Sequence, residues 1–181
     1  MTSKLKTDVL ETGSGSGTIA LNNQLSGMTT ASLPALTHAE MPVGSVLQVV
    51  QSYTPSTSAS TTSTSPIGTG VTAVITPKFN NSLILVSYSG TMSYLTSGTG
   101  TFKMYMDNGG SGYAQMPGGS HYHVGYMEAN NRYAPIVFNG NFVATSLNTL
   151  TFQLYVQSSG VSFTYFHSAS SNALTLTEIK Q

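Results

Sequence analysis

The sequence predicts an all-β protein: an extended N-terminal arm followed by a sandwich or barrel of about eight to ten short strands. Three observations lead to this prediction. Apolar and polar residues alternate with a period of two in several segments, and turn signals separate those segments at intervals of about 8–12 residues. No amphipathic pattern is long enough for a helix of more than two turns. We expect the arm to cover residues 1–41 and the β domain residues 42–181.

The clearest predicted strand is Leu150–Gln157, in which apolar and polar side chains alternate over eight residues. The side chains on its apolar side are Leu150, Phe152, Leu154 and Val156, and those on its polar side are Thr151, Gln153, Tyr155 and Gln157. Thr, Phe, Tyr and Val are favoured on a pleated, half-buried surface. This pattern predicts one face in a core and one face toward water or a partner.

The arm contains few bulky side chains and many Gly, Ser, Thr and Asn residues. Thr12–Thr18 is a glycine–serine run, typical of flexible or turn-forming chain. Thr18–Asn22 is a candidate short strand, and Ser32–Met41 a candidate helical turn. None of these segments can close a core alone. We therefore expect the arm to be ordered only by packing on a neighbour or by winding with identical arms.

The β domain alternates strand patterns with turns from Pro42 onward. Ser82–Ser89 is apolar on both faces, which predicts a central strand covered on both sides. Thr54–Pro66 is almost pure Ser and Thr and predicts a polar loop. The other predicted strands are Gly44–Val50, Val71–Thr76, Thr101–Asp107, Tyr113–Met116, Tyr122–Met127, Ala134–Val143, Val161–Phe166 and Leu174–Ile179.

Charged residues make up only 7% of the chain, against roughly 25% in typical soluble domains. The six basic and six acidic side chains cancel, so there is no cluster of Lys and Arg for nucleic acid or an anionic membrane. Near-zero net charge favours self-association, and we expect a constitutive oligomer. Since the chain has no cysteine, disulfides and thiolate metal sites are excluded.

The first residues, Met1–Asp8, lack the apolar segment of a signal peptide, and no run approaches the ~20 apolar residues of a membrane span. We expect synthesis in a cytoplasm without membrane insertion. This expectation is compatible with an extracellular working place, because release by cell lysis needs no signal peptide.

Three segments together resemble small virion proteins of tailed phages, especially marine phages: the opening Leu5–Thr12 with Gly17–Asn22, the transition Met41–Val50, and the ending Asn172–Gln181. Proteins of this kind are described as tail fibres, head fibres or virion proteins. The C-terminal part resembles the jelly roll of the tumour-necrosis-factor and complement globular-head type. The resemblance implies a jelly-roll β-sandwich, assembly as a homotrimer and a place on the virion.

Gly119–His123 has the pattern Gly-x-His-x-His. Residues two apart on a strand face the same way, and neutral imidazole suits transition metals. Some phage receptor-binding fibres use this pattern in three intertwined chains to hold an octahedral iron. Those fibres repeat the pattern along a shaft, whereas it occurs once here. We therefore expect both histidines to be solvated, and we expect no metal or cofactor. The candidate ligands for the alternative, a metal site, are His121 and His123.

Aromatic residues surround this stretch, and the candidate residues for contact with a receptor are Tyr113, His121, Tyr122, His123, Tyr126 and Tyr133. Tyrosine is favoured in such contacts because it offers area and a hydroxyl at low entropic cost. Burial of most of these tyrosines at a trimer interface is an equally good interpretation.

Few charges in the middle of the domain are candidates for chemistry. Two carboxylates can serve glycoside hydrolysis, and Asp107 with Asn108 can supply oxygen ligands to calcium. A turn aspartate at position 107 and an ion pair between Glu128 and Arg132 are the interpretations we favour. We expect no catalytic residues and no enzymatic activity.

These observations lead to one functional hypothesis: a trimeric virion protein, a head or tail fibre, that binds another phage protein through residues 1–41 and contacts a host surface glycan or protein. Two alternatives remain. One is a capsid decoration protein that stabilises the shell, and the other is a free carbohydrate-binding module or lectin.

Overall fold

The chain divides into two units, Met1–Leu36 and Thr37–Gln181, and all residues described by the computed structural model lie in the second unit. The described residues are 37–54, 59–94, 98–117, 123–127, 132–166 and 172–181. The predicted arm falls outside them except for residues 37–41, and so does its candidate strand Thr18–Asn22.

The described residues form antiparallel strands and no helix, which confirms the predicted all-β class. No part of the described chain therefore provides a helix long and apolar enough to cross a membrane. The strands are β1 (Val46–Thr54), β2 (Ala59–Thr61), β3 (Ile67–Ile75), β4 (Ser82–Tyr94), β5 (Gly98–Asn108), β6 (Ala114–Gln115), β7 (His123–Met127), β8 (Arg132–Ala144), β9 (Leu150–Ser158), β10 (Phe163–Phe166) and β11 (Asn172–Ile179).

Sheet A contains four rows of strands, in the spatial order β8, β4, β11 with β10, and β1 with β2. β8 pairs with β4 over its whole length, from Ser82 to Tyr94. Both β10 and β11 must therefore lie on the other edge of β4, where β11 pairs with residues 83–89 and β10 with residues 93–94. β1 pairs with β11 and β2 pairs with β10, so β1 and β2 together form the outermost row on that side.

Sheet B also contains four rows, in the order β3, β9, β5, and β6 with β7. Its second row, β9, confirms the strand predicted at Leu150–Gln157, and its burial alternates residue by residue. β6 and β7 share the edge of β5 that β9 does not use, with β7 beside residues 98–102 and β6 beside residues 105–106.

The inner faces of the two sheets form one hydrophobic core. Sheet B contributes the apolar side of β9 together with Phe102 and Met104 of β5. Sheet A contributes alternate residues of β4, β8 and β11, among them Ile84 and Leu176. Burying one face of each strand in this way explains the period of two in the sequence.

Two strand predictions differ from the structure. The predicted loop Thr54–Pro66 contains the short strand β2. This strand is held by backbone pairing with β10, which the Ser and Thr content of the segment does not predict. Among the described residues, β4 is fully covered on one face only, since Leu85 on its outer face is 38% exposed. The second apolar face of β4 is thus only partly covered by the described residues.

A buried carboxylate joins the last strand to the turn between β3 and β4. Glu178 of β11 is fully buried on the inner side of sheet A. Its Oε1 accepts hydrogen bonds from the backbone N–H of Lys78 at 2.7 Å and from Ser82 Oγ at 2.7 Å. It also accepts one from Phe79 N–H at 3.3 Å, and its Oε2 accepts one from Gln48 Nε2 at 2.6 Å. These bonds compensate for removing the charge from water.

The first and last described residues meet at the same end of the domain. Lys180 Nζ donates hydrogen bonds to the carbonyl oxygens of Ala39, at 2.8 Å, and Met41, at 2.6 Å. The same ammonium lies 4.9 Å from the ring centroid of Phe79, within cation–π range. Backbone bonds of Lys180 to Gly44 and Ser45 complete this junction.

Gly90 of β4 lies against a buried polar pair. Tyr88 Oη donates to Asn172 Oδ1 at 3.3 Å, and both residues are fully buried. A Cβ atom at Gly90 would overlap the Tyr88 hydroxyl and lie 2.5 Å from Asn172 Oδ1. Gly90→Ala should therefore lower the free energy of unfolding by about 1–3 kcal/mol, measured by urea denaturation.

The matched control for this prediction is Gly68→Ala. A Cβ atom at Gly68 would lie 3.1 Å from Gln153 Nε2, the end of a side chain that can move. Its cost should be clearly smaller than that of Gly90→Ala. Equal unfolding midpoints for the two variants would show that the buried pair tolerates the added methyl group.

Candidate functional site

Two tyrosines stack on the outer face of sheet B because of the register between β5 and β9. Tyr105 lies opposite Gln153, and Lys103 lies opposite Tyr155, so the two tyrosines are diagonal neighbours. Their ring centroids are 4.0 Å apart with an interplanar angle of 25°. Both side chains are partly exposed, since alternation places them opposite the buried core residues.

A tight loop brings a third tyrosine to this pair. Asp107 Oδ1 accepts a hydrogen bond from the backbone N–H of Gly112 at 3.0 Å, which closes the loop after β5. Gly112 has φ = 94°, a left-handed conformation that favours glycine. Tyr113 follows, and its ring lies 6.0 Å from that of Tyr155 at an angle of 55°. We call Tyr105, Tyr113 and Tyr155 the tyrosine cluster.

Burial and nearby groups both disfavour the phenolate form of Tyr113. Partial burial raises the pKa of its hydroxyl, and repulsion of the phenolate by Tyr155 and Asp107 raises it further. The hydroxyl therefore remains a hydrogen-bond donor at neutral and mildly alkaline pH. Its side chain is 39% exposed, so this donor is accessible from solvent.

Two amide side chains lie on the same face of sheet B as the tyrosine cluster. Gln153 and Gln157 share the outer side of β9 with Tyr155. Gln153 lies against Gly68 of β3, and a side chain at position 68 would crowd the Gln153 amide. Gln157 Nε2 donates to the carbonyl oxygen of Thr64 at 2.7 Å, which fixes its orientation. The result is an aromatic surface beside amide groups that can both donate and accept hydrogen bonds.

The outer face of sheet A has a different chemistry. Its register forms rows across the four rows of strands, such as Val49–Thr177–Leu85–Asn141 and Tyr53–Ala173–Ser89–Val137. Exposed apolar side chains recur on it, at 59% for Val49, 65% for Tyr53 and 47% for Val137. The outward positions of β1, β4, β8 and β11 whose side chains the structure describes include no charged residue. We call this surface the uncharged face.

Of the six predicted contact residues, Tyr113 alone has a described side chain. His121 and Tyr122 lie outside the described residues. The backbone places His123 and Tyr126 on β7 in sheet B, and Tyr133 on β8 in sheet A. The backbone thus divides the described members of the predicted set between the two sheets.

The predicted charge sites have separate outcomes. Asp107 is the turn aspartate that the sequence predicted, and its carboxylate binds Gly112 N–H. Alternation directs Asp107 and Asn108 to opposite faces of β5, and Asn108 Oδ1 is buried without a hydrogen-bond partner among the described residues. Glu128 and the Arg132 side chain lie outside the described part of the chain.

No cluster of three or more His, Asp or Glu side chains that could hold a metal ion occurs among the described residues. The predicted candidates His121 and His123 lie outside that test, because the position of neither side chain is described.

The sequence interpretation missed Tyr105 and Tyr155 as members of a site. Each lies on the polar side of a correctly predicted strand, so the alternation did indicate that both face outward. Only the register between β5 and β9 shows that they meet.

The sequence matches no protein-family model and no curated protein.

Proposed function

We propose that the chain is a structural protein of a tailed-phage particle, a homotrimeric head or tail fibre that displays residues 42–181 and contributes to host attachment. Residues 1–41 would bind a neighbouring phage protein, and the protein would have no enzymatic activity. The observation that carries the proposal is the contrast between the uncharged face of sheet A and the aromatic, amide-rich outer face of sheet B. One face suits self-association and the other suits display.

The strand order supports a jelly roll as the fold of the displayed domain. Counted as rows in chain order, sheet A has the arrangement 1-8-3-6 and sheet B the arrangement 2-7-4-5. Eight strands in two antiparallel sheets, nested from the ends of the chain inward, are what a jelly roll requires. The sequence resemblance to the tumour-necrosis-factor and complement-head type points to the same fold.

The uncharged face is the surface we propose for trimer formation. Its exposed valine, leucine and tyrosine side chains would gain free energy by leaving water. Burying it would leave no ionised side chain without a partner, which is the usual obstacle to burying a strand surface. The number of copies, three, is taken from the sequence resemblance, and the uncharged face is the surface through which the copies would meet.

Leu85→Glu tests this interface. The side chain is 38% exposed in the single chain, so the monomer should still fold, whereas a trimer would have to bury three new carboxylates. We expect analytical ultracentrifugation to give about 57 kDa for the natural chain, three times 19.0 kDa, and 19.0 kDa for the variant.

Val74→Glu is the matched control, because Val74 is 49% exposed on the outer face of sheet B and the variant should remain trimeric. A natural chain that sediments as a monomer or dimer at about 10 µM, where specific complexes of micromolar affinity form, would refute the trimer.

Labelling of purified phage particles with antibodies against the chain tests the virion role. For host attachment, we expect the antibodies to label a fibre and the free protein to inhibit adsorption. Labelling over the whole shell, with fragile particles when the protein is removed, would instead identify a decoration protein.

The tyrosine cluster favours a second candidate, a free carbohydrate-binding module. Aromatic rings beside amides are suited to sugar binding, and such a module would need neither the trimer nor residues 1–41. A monomer that binds sugar and labels no particle would support it.

A further inference from the structure

We infer that the tyrosine cluster is a saccharide-binding site that takes a hexose unit of a surface glycan. This inference names the ligand class for the attachment role proposed above and in that respect rests on it. Its evidence is the geometry of Tyr105, Tyr113 and Tyr155 on the outer face of sheet B.

The aromatic rings match the apolar part of a sugar. A pyranose ring presents several C–H groups on one face, and these pack on the electron-rich face of an aromatic ring. Tyr113 is tilted by 55° from Tyr155, so the two rings offer aromatic surface in two directions. Tyr155 is also supported by stacking on Tyr105, which holds its ring in place without a ligand.

The polar neighbours match the hydroxyl groups of a sugar. A hydroxyl both donates and accepts hydrogen bonds, and so does a glutamine amide. Gln153 lies on the same side of β9 as Tyr155 and has its amide next to Gly68. The hydroxyl of Tyr113 adds a further group of the same kind, because a tyrosine hydroxyl is protonated at neutral pH and both donates and accepts.

The size of the site favours a sugar over a protein. A specific protein interface buries about 800 Å² on each partner, far more than a cluster of three side chains can provide. The cluster is also separate from the surface proposed for the trimer, because its residues lie on the outer face of the other sheet. Three copies would therefore each keep one open site, and the combined avidity would compensate for weak single contacts.

The test uses the full chain and its intrinsic tyrosine fluorescence, since the sequence has no tryptophan to obscure that signal. The probes are linear oligosaccharides of glucose, galactose, mannose and N-acetylglucosamine, with calorimetry as the second measurement. We expect at least one to bind with a dissociation constant of about 1 mM or lower. Tyr113→Ala should weaken that binding about tenfold, and Tyr113→Phe should weaken it less.

Tyr113 is suited to this test because it is 39% exposed on a loop, so its truncation should leave the fold intact. Val74→Ala is the control on the same face, and it should bind like the natural chain. The inference is wrong if none of the oligosaccharides binds at about 10 mM, well above the affinity expected. It is also wrong if Tyr113→Ala binds as well as the natural chain does.

Competition for phage adsorption separates the site from the attachment role. If the natural protein and Tyr113→Ala block adsorption equally, the attachment role stands and the claim that it uses the saccharide site is refuted. If Tyr113→Ala loses sugar binding while the natural protein does not block adsorption, the saccharide site is supported and the attachment role fails.

Discussion

Glu178→Ala should lower the free energy of unfolding by about 3–5 kcal/mol, because it removes a buried carboxylate that accepts several hydrogen bonds at once. The fully buried carboxylate accepts bonds from Ser82 Oγ and from the backbone N–H of Lys78, each at 2.7 Å. With alanine at this position, these donors would be left without a partner in a site that water does not reach easily. The loss should be read from the midpoint and slope of urea denaturation.

Two variants define what this measurement means. Glu178→Gln keeps the shape and one acceptor oxygen, so it should cost less than alanine. Glu40→Ala removes an exposed carboxylate that accepts a bond from Thr37 N–H, and it should leave the midpoint of the β domain almost unchanged. If Glu178→Ala unfolds at the same urea concentration as Glu40→Ala, the buried bonds do not stabilise the domain.

Phe152→Ala should also cost about 3–5 kcal/mol, for a different reason. The side chain is fully buried near the start of β9, and it makes an edge contact with Phe142 of sheet A, with ring centroids 6.4 Å apart and an interplanar angle of 72°. Its removal would open a cavity between the two sheets, where both contribute to the lining. Thermal and urea denaturation of the purified variant should both detect the loss.

Thr151→Ala, one residue earlier on the same strand, is the control, because its side chain lies on the outer face. It should change the stability by about 0.5 kcal/mol or less. A similar loss in both variants would mean that β9 contributes through its backbone pairing, and that the core contact with Phe142 adds little.

Phe152 and Glu178 show which features of the fold can be predicted from the sequence. The burial of Phe152 was predictable, because the period of two in Leu150–Gln157 assigns a face to each side chain. Glu178 falls on the apolar side of its strand together with Leu174 and Leu176, so alternation predicts that it points inward. Its partners could not be predicted, since Lys78, Phe79 and Ser82 are about 100 residues away in the sequence.

The candidate site follows the same rule. Tyr113 was predicted as a contact residue from its type and neighbourhood, and the outward direction of Tyr105 and Tyr155 from alternation. Their stacking depends on the register between β5 and β9, which is set by the packing of two whole strands and not by any local pattern.

Short strands were the least predictable part of the fold. β2 has three residues, Ala59–Thr61, and lies in a segment whose Ser and Thr content is typical of a loop. It pairs with β10, which continues the line of β11 along β4. Such a strand is specified by its partner, because three residues carry too little pattern to define a period.

The junction at Lys180 has a consequence for engineering. Its ammonium binds the carbonyl oxygens of Ala39 and Met41, and its backbone pairs with Gly44 and Ser45, so the two ends of the β domain are neighbours. Proteins with adjacent ends tolerate circular permutation. A short linker from residue 181 back to residue 37, with new termini at the exposed Leu147, would preserve every strand pairing of both sheets. Such a permutant would carry fused cargo on a different end of the domain.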